Sequence, residues 1–180
     1  MPMLRRLFLV LAASALAACS RGDKAPAIDH RALESPLGEA VLRHMLSLCP
    51  HRAEAKQVTI VLGPLQDSAS TEFENKFADT GLTVTAARKL VAGAVNGEVR
   101  IFDGSTNQAP IILQISSLTP EAGNPANYEA IAAWAWKGKA QRLKLRVLTK
   151  PNAAPEFRQI EEIPIPVRNQ DGMPVPPAGK

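Results

Sequence analysis

The sequence predicts a small single domain of the α+β class. Three observations support this class: an amphipathic helical pattern, then a strand-helix-strand pattern, then alternating apolar residues over the second half. The 180-residue length fits one domain with extended ends. We expect four segments: a signal peptide at 1–18, a flexible tether at 19–36, the α+β domain at 37–150 and a proline-rich tail at 151–180.

The first 18 residues have the order of a secretory signal. Arg5-Arg6 precede an apolar run that extends from Leu7 to Ala18. This run has about 12 residues, whereas a membrane-spanning helix needs roughly 20. The sequence therefore favours a signal peptide, with a short transmembrane anchor as the weaker alternative.

The signal ends in Leu16-Ala17-Ala18-Cys19, which resembles the lipobox of bacterial lipoproteins. The resemblance implies that Cys19 is lipidated on its thiol, becomes the mature N-terminus and anchors the chain stably in a membrane through its acyl chains. By resemblance to lipoprotein sorting in two-membrane bacteria, Ser20 in place of Asp after the lipidated Cys implies the outer membrane, with the domain on the periplasmic face. The inner membrane is less favoured. Release of an unlipidated protein is the alternative.

The mature charge balance is nearly even. Cleavage before Cys19 would leave 162 residues with a side-chain charge of +2, against +4 for the whole chain. This balance gives no reason to expect a nucleic-acid partner. Few aromatic residues (4%) and 15 prolines fit a small core with extended ends.

A helix is predicted from Leu37 to Leu48 and ends before Pro50. Its apolar stripe repeats at i, i+3, i+4 and i+7, at Leu42, Met45, Leu46 and Cys49. If Cys19 carries lipid, Cys49 has no partner in the chain, and in an oxidising compartment it is either buried or paired with another molecule. Its place on the apolar stripe favours burial.

A strand-helix-strand unit follows. Alternating apolar residues predict strands at 57–63 and 82–86, and a helix between them at about 70–80. Asp67, Ser68 or Ser70 can cap the start of this helix, and Gly81 can end it. A right-handed crossover would make the two strands parallel.

The second half predicts antiparallel strands. Asn96-Gly97 is a type I′ hairpin signal, Lys137-Gly138 marks another turn, and 119–127 is expected to be a loop. The cleanest alternation follows the second turn. There Leu143, Leu145 and Val147 alternate with Arg142, Lys144 and Arg146.

The three cations of that strand, Arg142, Lys144 and Arg146, are the candidate binding residues. They could contact an anionic lipid, an anionic glycan or an acidic protein. They could equally form the solvated face of an antiparallel sheet. If the strand lies at the sheet edge, it would also be a docking edge for a partner strand.

The tail is predicted to be polyproline II or disordered, because prolines recur from Pro151 to Pro177. Its segment Ile163-Pro164-Ile165-Pro166-Val167 could dock in a partner groove or beside a sheet edge.

No residue pattern indicates catalysis. The histidines His30, His44 and His51, together with Cys49, do not have the spacing of a zinc site, so we expect no metal and no cofactor. Nucleophile-elbow, phosphate-loop and dinucleotide-binding motifs are absent from the sequence. We therefore expect a protein that is not an enzyme.

The order VLRHMLSLCP, QVTIVLGPLQDS, a helix ending ADTG, then LTVTAA resembles the TrbH-type conjugal-transfer lipoproteins. The segment that matches their helix end is Met45-Leu46-Ser47-Leu48-Cys49-Pro50, and the resemblance covers about residues 40–86. The strand-helix-strand plan is also similar to FlgO, the N-terminal domain of TolB and LptE-type lipoproteins. These resemblances imply a non-enzymatic component of a cell-envelope complex, with conjugation or type IV secretion first, and envelope proteins as partners. The alternative is a lipoprotein that binds an anionic lipid or glycan.

Overall fold

The computed structural model describes residues 30–64, 66–95 and 98–165. The predicted signal peptide, Cys19 and the first part of the tether lie outside this range. So do the Asn96-Gly97 turn and the end of the tail from residue 166. No helix among the described residues has the length and apolar character needed to cross a membrane.

The fold is mostly β. Helices α1 (His30–Leu33), α2 (Pro36–Leu48) and α3 (Thr71–Asn75) accompany nine strands in the described part of the chain. The strands are β1 Gln57–Leu62, β2 Asp67–Ser68, β3 Thr83–Val84, β4 Leu90–Val95, β5 Glu98–Asp103, β6 Ile111–Glu121, β7 Asn124–Trp136, β8 Lys139–Leu148 and β9 Glu156–Glu162.

One sheet contains seven of these strands. Its order is β2-β1-β6-β7-β8-β9, and β3 pairs with β1 in parallel, as the strand-helix-strand pattern predicted. β1 also runs parallel to β6, and the four strands from β6 to β9 are antiparallel neighbours. β4 and β5 form a separate hairpin, in which Val95 pairs with Glu98 as the predicted two-residue turn requires.

The domain begins earlier than predicted. Residues 30–36, expected to be part of the flexible tether, contain α1, and Leu33 at its end is 3% exposed in the core. Ser35 caps α2 by accepting a hydrogen bond from the Gly38 amide (3.1 Å). Gly38 also allows α1 and α2 to approach closely, because a Cβ there would lie 1.9 Å from the Leu33 carbonyl oxygen.

The second predicted helix is shorter than 70–80. α3 ends at Asn75, and a 3₁₀ turn, Ala78–Thr80, leads to Gly81 at φ +76°. The Thr80 hydroxyl donates to the Phe77 carbonyl (2.6 Å), and such local bonds compete with a continuous helix. The Ser70 cap is confirmed, whereas Gly81 ends the 3₁₀ turn and not the helix.

Two predictions about the second half are wrong. The expected loop at 119–127 is mostly strand, because β6 and β7 are joined by a two-residue turn in which Gly123 has φ +82°. The expected disorder from residue 151 is interrupted by β9, which pairs along β8. The prolines that suggested loop and disorder lie at strand ends or outside β9, where they cost few ladder hydrogen bonds.

The core lies on one side of the main sheet. The three helices and alternate residues of β1, β6, β7 and β8 form one buried cluster. The opposite side is covered beside β1, where Thr59 and Val61 are buried near the 3₁₀ turn Ala87–Lys89. That coverage does not extend over β6, β7 and β8, whose outward residues are half-buried.

Candidate functional site

The alternation predicted for β8 is confirmed. Leu143, Leu145 and Val147 are fully buried on the core side. Their neighbours Arg142, Lys144 and Arg146 are half-buried on the opposite side, which we call the open face. β8 is not an edge strand, because β9 pairs with it through a register that includes Arg146 opposite Arg158. The condition for a docking edge at β8 is therefore not met.

Two of the three cations are neutralised within the sheet. Lys144 Nζ lies 3.0 Å from Glu129 Oε2, and Arg146 Nη2 lies 2.7 Å from Glu121 Oε1. Arg142 makes no ion pair with any residue that the structure describes, and its buried Nε has no hydrogen-bond partner there. Among the described residues, the open face thus has one cation without an ion pair, Arg142, rather than a stripe of three.

The open face beside Arg142 has a small and a polar residue on β7 and β6, and Glu161 of β9 lies opposite the neighbouring Lys144. Ala133 lies opposite Arg142, and Gln114 lies opposite Ala133 on the next strand. The open face consists of half-buried residues from three strands: Ile112, Gln114, Ile131, Ala133, Ala135, Arg142, Lys144 and Arg146. A surface of this composition can pack against a protein surface, and its two ion pairs reduce its attraction for a polyanion.

Glu121 and Glu129, the partners of the cations, were not singled out from the sequence. The position of Glu129 could have been inferred from the sequence. The Lys137-Gly138 turn fixes the β7–β8 register, and that register places Glu129 opposite Arg146 and one diagonal step from Lys144. Glu121 could not be found, because the segment around it was predicted to be a loop.

A shallow polar cleft of about 310 Å³ lies at one end of the sheet, beside Trp136. The Trp136 ring is only 6% exposed; His51 stacks on it at 4.9 Å between ring centroids, and Lys137 Nζ lies 4.2 Å from its centroid. The Trp136 indole N–H donates to the Ala109 carbonyl (3.1 Å). The ring therefore serves to hold this end of the sheet together and offers little surface to a ligand.

His44, His51 and Cys49 make packing and hydrogen-bond contacts within the domain. His44 stacks on Phe157 of β9, with centroids 4.3 Å apart, and burial lowers its pKa. His51 Nδ1 lies 2.9 Å from Glu54 Oε1. Cys49 is 3% exposed, as the helical stripe predicted, and burial raises the pKa of its thiol. Across the described ranges, no three His, Cys, Asp or Glu side chains are grouped so that they could hold a metal ion.

No family model, no curated protein and no solved structure matches the chain.

Proposed function

We propose that this chain is a lipoprotein anchored through Cys19 in the outer membrane, on its periplasmic face. There it would act as a non-enzymatic structural or assembly component of a cell-envelope complex, with conjugation or type IV secretion as the first choice. The signal-like N-terminus and its ending Leu16-Ala17-Ala18-Cys19 support the anchor. The small, mostly β domain, with one broad sheet side not covered by the helices, supports a scaffold role.

The observation that carries the assembly role is the open face. Its ion pairs leave a half-buried surface of alanine, isoleucine and glutamine around Arg142, which has no ion pair with any described residue. Desolvating such a surface costs less than desolvating three free cations, so a protein partner fits it better than a polyanion does.

The alternative is an envelope lipoprotein that binds an anionic lipid or glycan through Arg142, Lys144 and Arg146. The unpaired Arg142 supports it. In this alternative a ligand would have to compete with Glu121 and Glu129 for the other two cations. Binding would then weaken steeply as salt is added, because ionic contacts at a surface are screened.

The test is copurification of the chain from detergent-solubilised envelopes at low and high salt. Ala133→Glu places a charge at the centre of the open face, and Leu48→Glu, on the exposed side of α2, is the matched control. We expect envelope proteins to copurify with the wild type and with Leu48→Glu at both salt concentrations, and to be lost with Ala133→Glu.

Two results would contradict the assembly role. The first is equal recovery of partners with Ala133→Glu and with Leu48→Glu. The second is recovery of lipid or glycan without protein, abolished by Arg142→Glu and by salt, which would establish the alternative. The anchor is tested separately by Cys19→Ser, which should move the chain from the membrane fraction to the soluble fraction.

A further inference from the structure

The hairpin β4–β5 is set apart from the main sheet. Its strands pair with each other from Leu90 opposite Asp103 to Val95 opposite Glu98, and within the described ranges neither strand pairs with the main sheet. Val91 is 42% exposed, Ile101 is 44% exposed, and Ala92 is exposed between them. A lone two-stranded ribbon is marginally stable in water, and three or more strands are usually needed.

The register of the hairpin identifies the backbone groups that face away from β5. The Gly104 amide donates to the Lys89 carbonyl (2.9 Å), so Lys89 belongs to the hydrogen-bonded pairs. Because such pairs alternate along an antiparallel ladder, Val91 and Gly93 also bond to β5. Leu90, Ala92 and Ala94 then direct their backbone groups outward, although the Leu90 amide already donates to the Ala87 carbonyl.

The β4 edge differs from the other free edges. β9 carries four charged residues, Glu156, Arg158, Glu161 and Glu162, and its pairing with β8 is irregular near residue 145. Both features discourage β9 from pairing with a strand of another molecule. β2 and β3 are two residues long. β4, with the sequence LVAGAV, has six residues and no charge. β5 is equally long, but its sequence EVRIFD contains three charged residues, so β4 is the one long edge strand in the described structure without a charge.

We propose that the β4 edge pairs with the β4 edge of a second copy of this chain, antiparallel about a twofold axis at Ala92. Leu90 of each copy would lie opposite Ala94 of the other, and the result would be a continuous four-stranded sheet in the order β5-β4-β4-β5. This inference goes beyond the proposed function and does not depend on it, since the hairpin shares no residue with the open face.

Self-pairing is favoured by the sequence of the strand. A twofold axis at Ala92 places an uncharged residue opposite every residue from Leu90 to Ala94, so no like charges meet. The same operation on β9 about Gln159 would place Glu156 opposite Glu162 in both halves. Twofold dimers with one self-complementary patch are also the commonest homo-oligomers.

The first test is disulfide crosslinking of the full chain, purified in detergent and treated with a mild oxidant. Ala92→Cys would place two thiols opposite each other, at a Cα separation of about 5.5 Å, which a disulfide can span. Gln159→Cys, on the exposed β9 edge, is the matched control. We expect at least a roughly tenfold higher crosslinked fraction for Ala92→Cys than for the wild type, and no increase for Gln159→Cys.

The second test is the dimer dissociation constant measured by analytical ultracentrifugation. Ala92→Arg brings two like charges together at the axis and should weaken the dimer by about tenfold or more, whereas Gln159→Arg should leave it unchanged. Circular dichroism establishes that each variant is folded. The proposal is overturned if the folded wild type is monomeric at all concentrations, or if the Cys and Arg variants at 92 and 159 behave alike. The copurification test with Ala133→Glu is unaffected by either outcome.

Discussion

The two sides of the main sheet consist of residues from the same strands but differ in burial and charge. On the core side of β8, Leu145 is fully buried beneath the helices. On the open face its neighbour Lys144 is half-buried and paired with Glu129 at 3.0 Å. The helix layer accounts for the difference. It shields the core side from water, whereas the charged side chains of the open face form ion pairs with one another. The core side therefore contributes most of the stability, and the open face contributes less.

The largest expected effect contrasts adjacent residues of β8. Leu145→Ala should lower the free energy of unfolding by about 3 kcal/mol, because it removes buried methyl groups and leaves a cavity. Lys144→Ala should lower it by less than about 1 kcal/mol, because exposed ion pairs contribute little. Urea unfolding of both variants measures the difference, and similar losses would show that the two sides are not distinct.

The packing of α1 against α2 can be disturbed by adding a single Cβ atom at Gly38. Gly38→Ala would place a Cβ 1.9 Å from the Leu33 carbonyl oxygen, so α1 and α2 must move apart, at a cost of about 2 kcal/mol. Gly123→Ala is the control, since its Cβ meets nothing within 4 Å and only the positive φ is unfavourable, at about 1 kcal/mol. Equal thermal stability of Gly38→Ala and the wild type would argue against close packing of α1.

A buried carboxylate on α3 gives a prediction about pH. Glu74 is 7% exposed, its Oε1 has no hydrogen-bond partner among the described residues, and burial raises its pKa above the ordinary value of 4.5. The folded state therefore binds this proton more tightly than the unfolded state. The resulting stabilisation is complete below pH 4.5 and is lost as the pH rises through the pKa of the folded state.

Glu74→Gln removes this ionisation. The variant should exceed the wild type in stability by about 1 kcal/mol at neutral pH, and the advantage should disappear below pH 4.5. Denaturant unfolding at several pH values measures it. An advantage that did not change with pH would mean that ionisation of Glu74 does not limit stability.

The smallest expected effect belongs to the open face. A double-mutant cycle on Arg146 and Glu121, each changed to Ala, should give a coupling of about 0.5 kcal/mol at low salt and less at high salt. A coupling well above 1 kcal/mol would indicate that this ion pair supports the fold, and the face would then be less free to serve a partner.

The sequence predicted the elements whose pattern is local. The α2 stripe and the β8 alternation follow from periods of 3.6 and 2, and both are confirmed. The strand-helix-strand order and its parallel pairing are confirmed, but the helix and the second strand are shorter than predicted. The turn between β6 and β7 was missed because the prolines and glycine around it suggested a loop. β9 was missed because the prolines on both sides of it suggested disorder. Both elements depend on pairing between strands, which local sequence patterns do not show. The ion partners of Arg146 and Lys144 depend on that same long-range register.

The central claim is that the open face, and not the helix side, contacts an envelope partner. The most direct measurement is photo-crosslinking in intact cells, with a photoreactive amino acid placed at Ala133 of the open face or at Leu48 of α2, which is 40% exposed. The account predicts a discrete crosslinked protein with the probe at Ala133 and little or none at Leu48. A crosslink that forms equally at both positions, or only at Leu48, would contradict it.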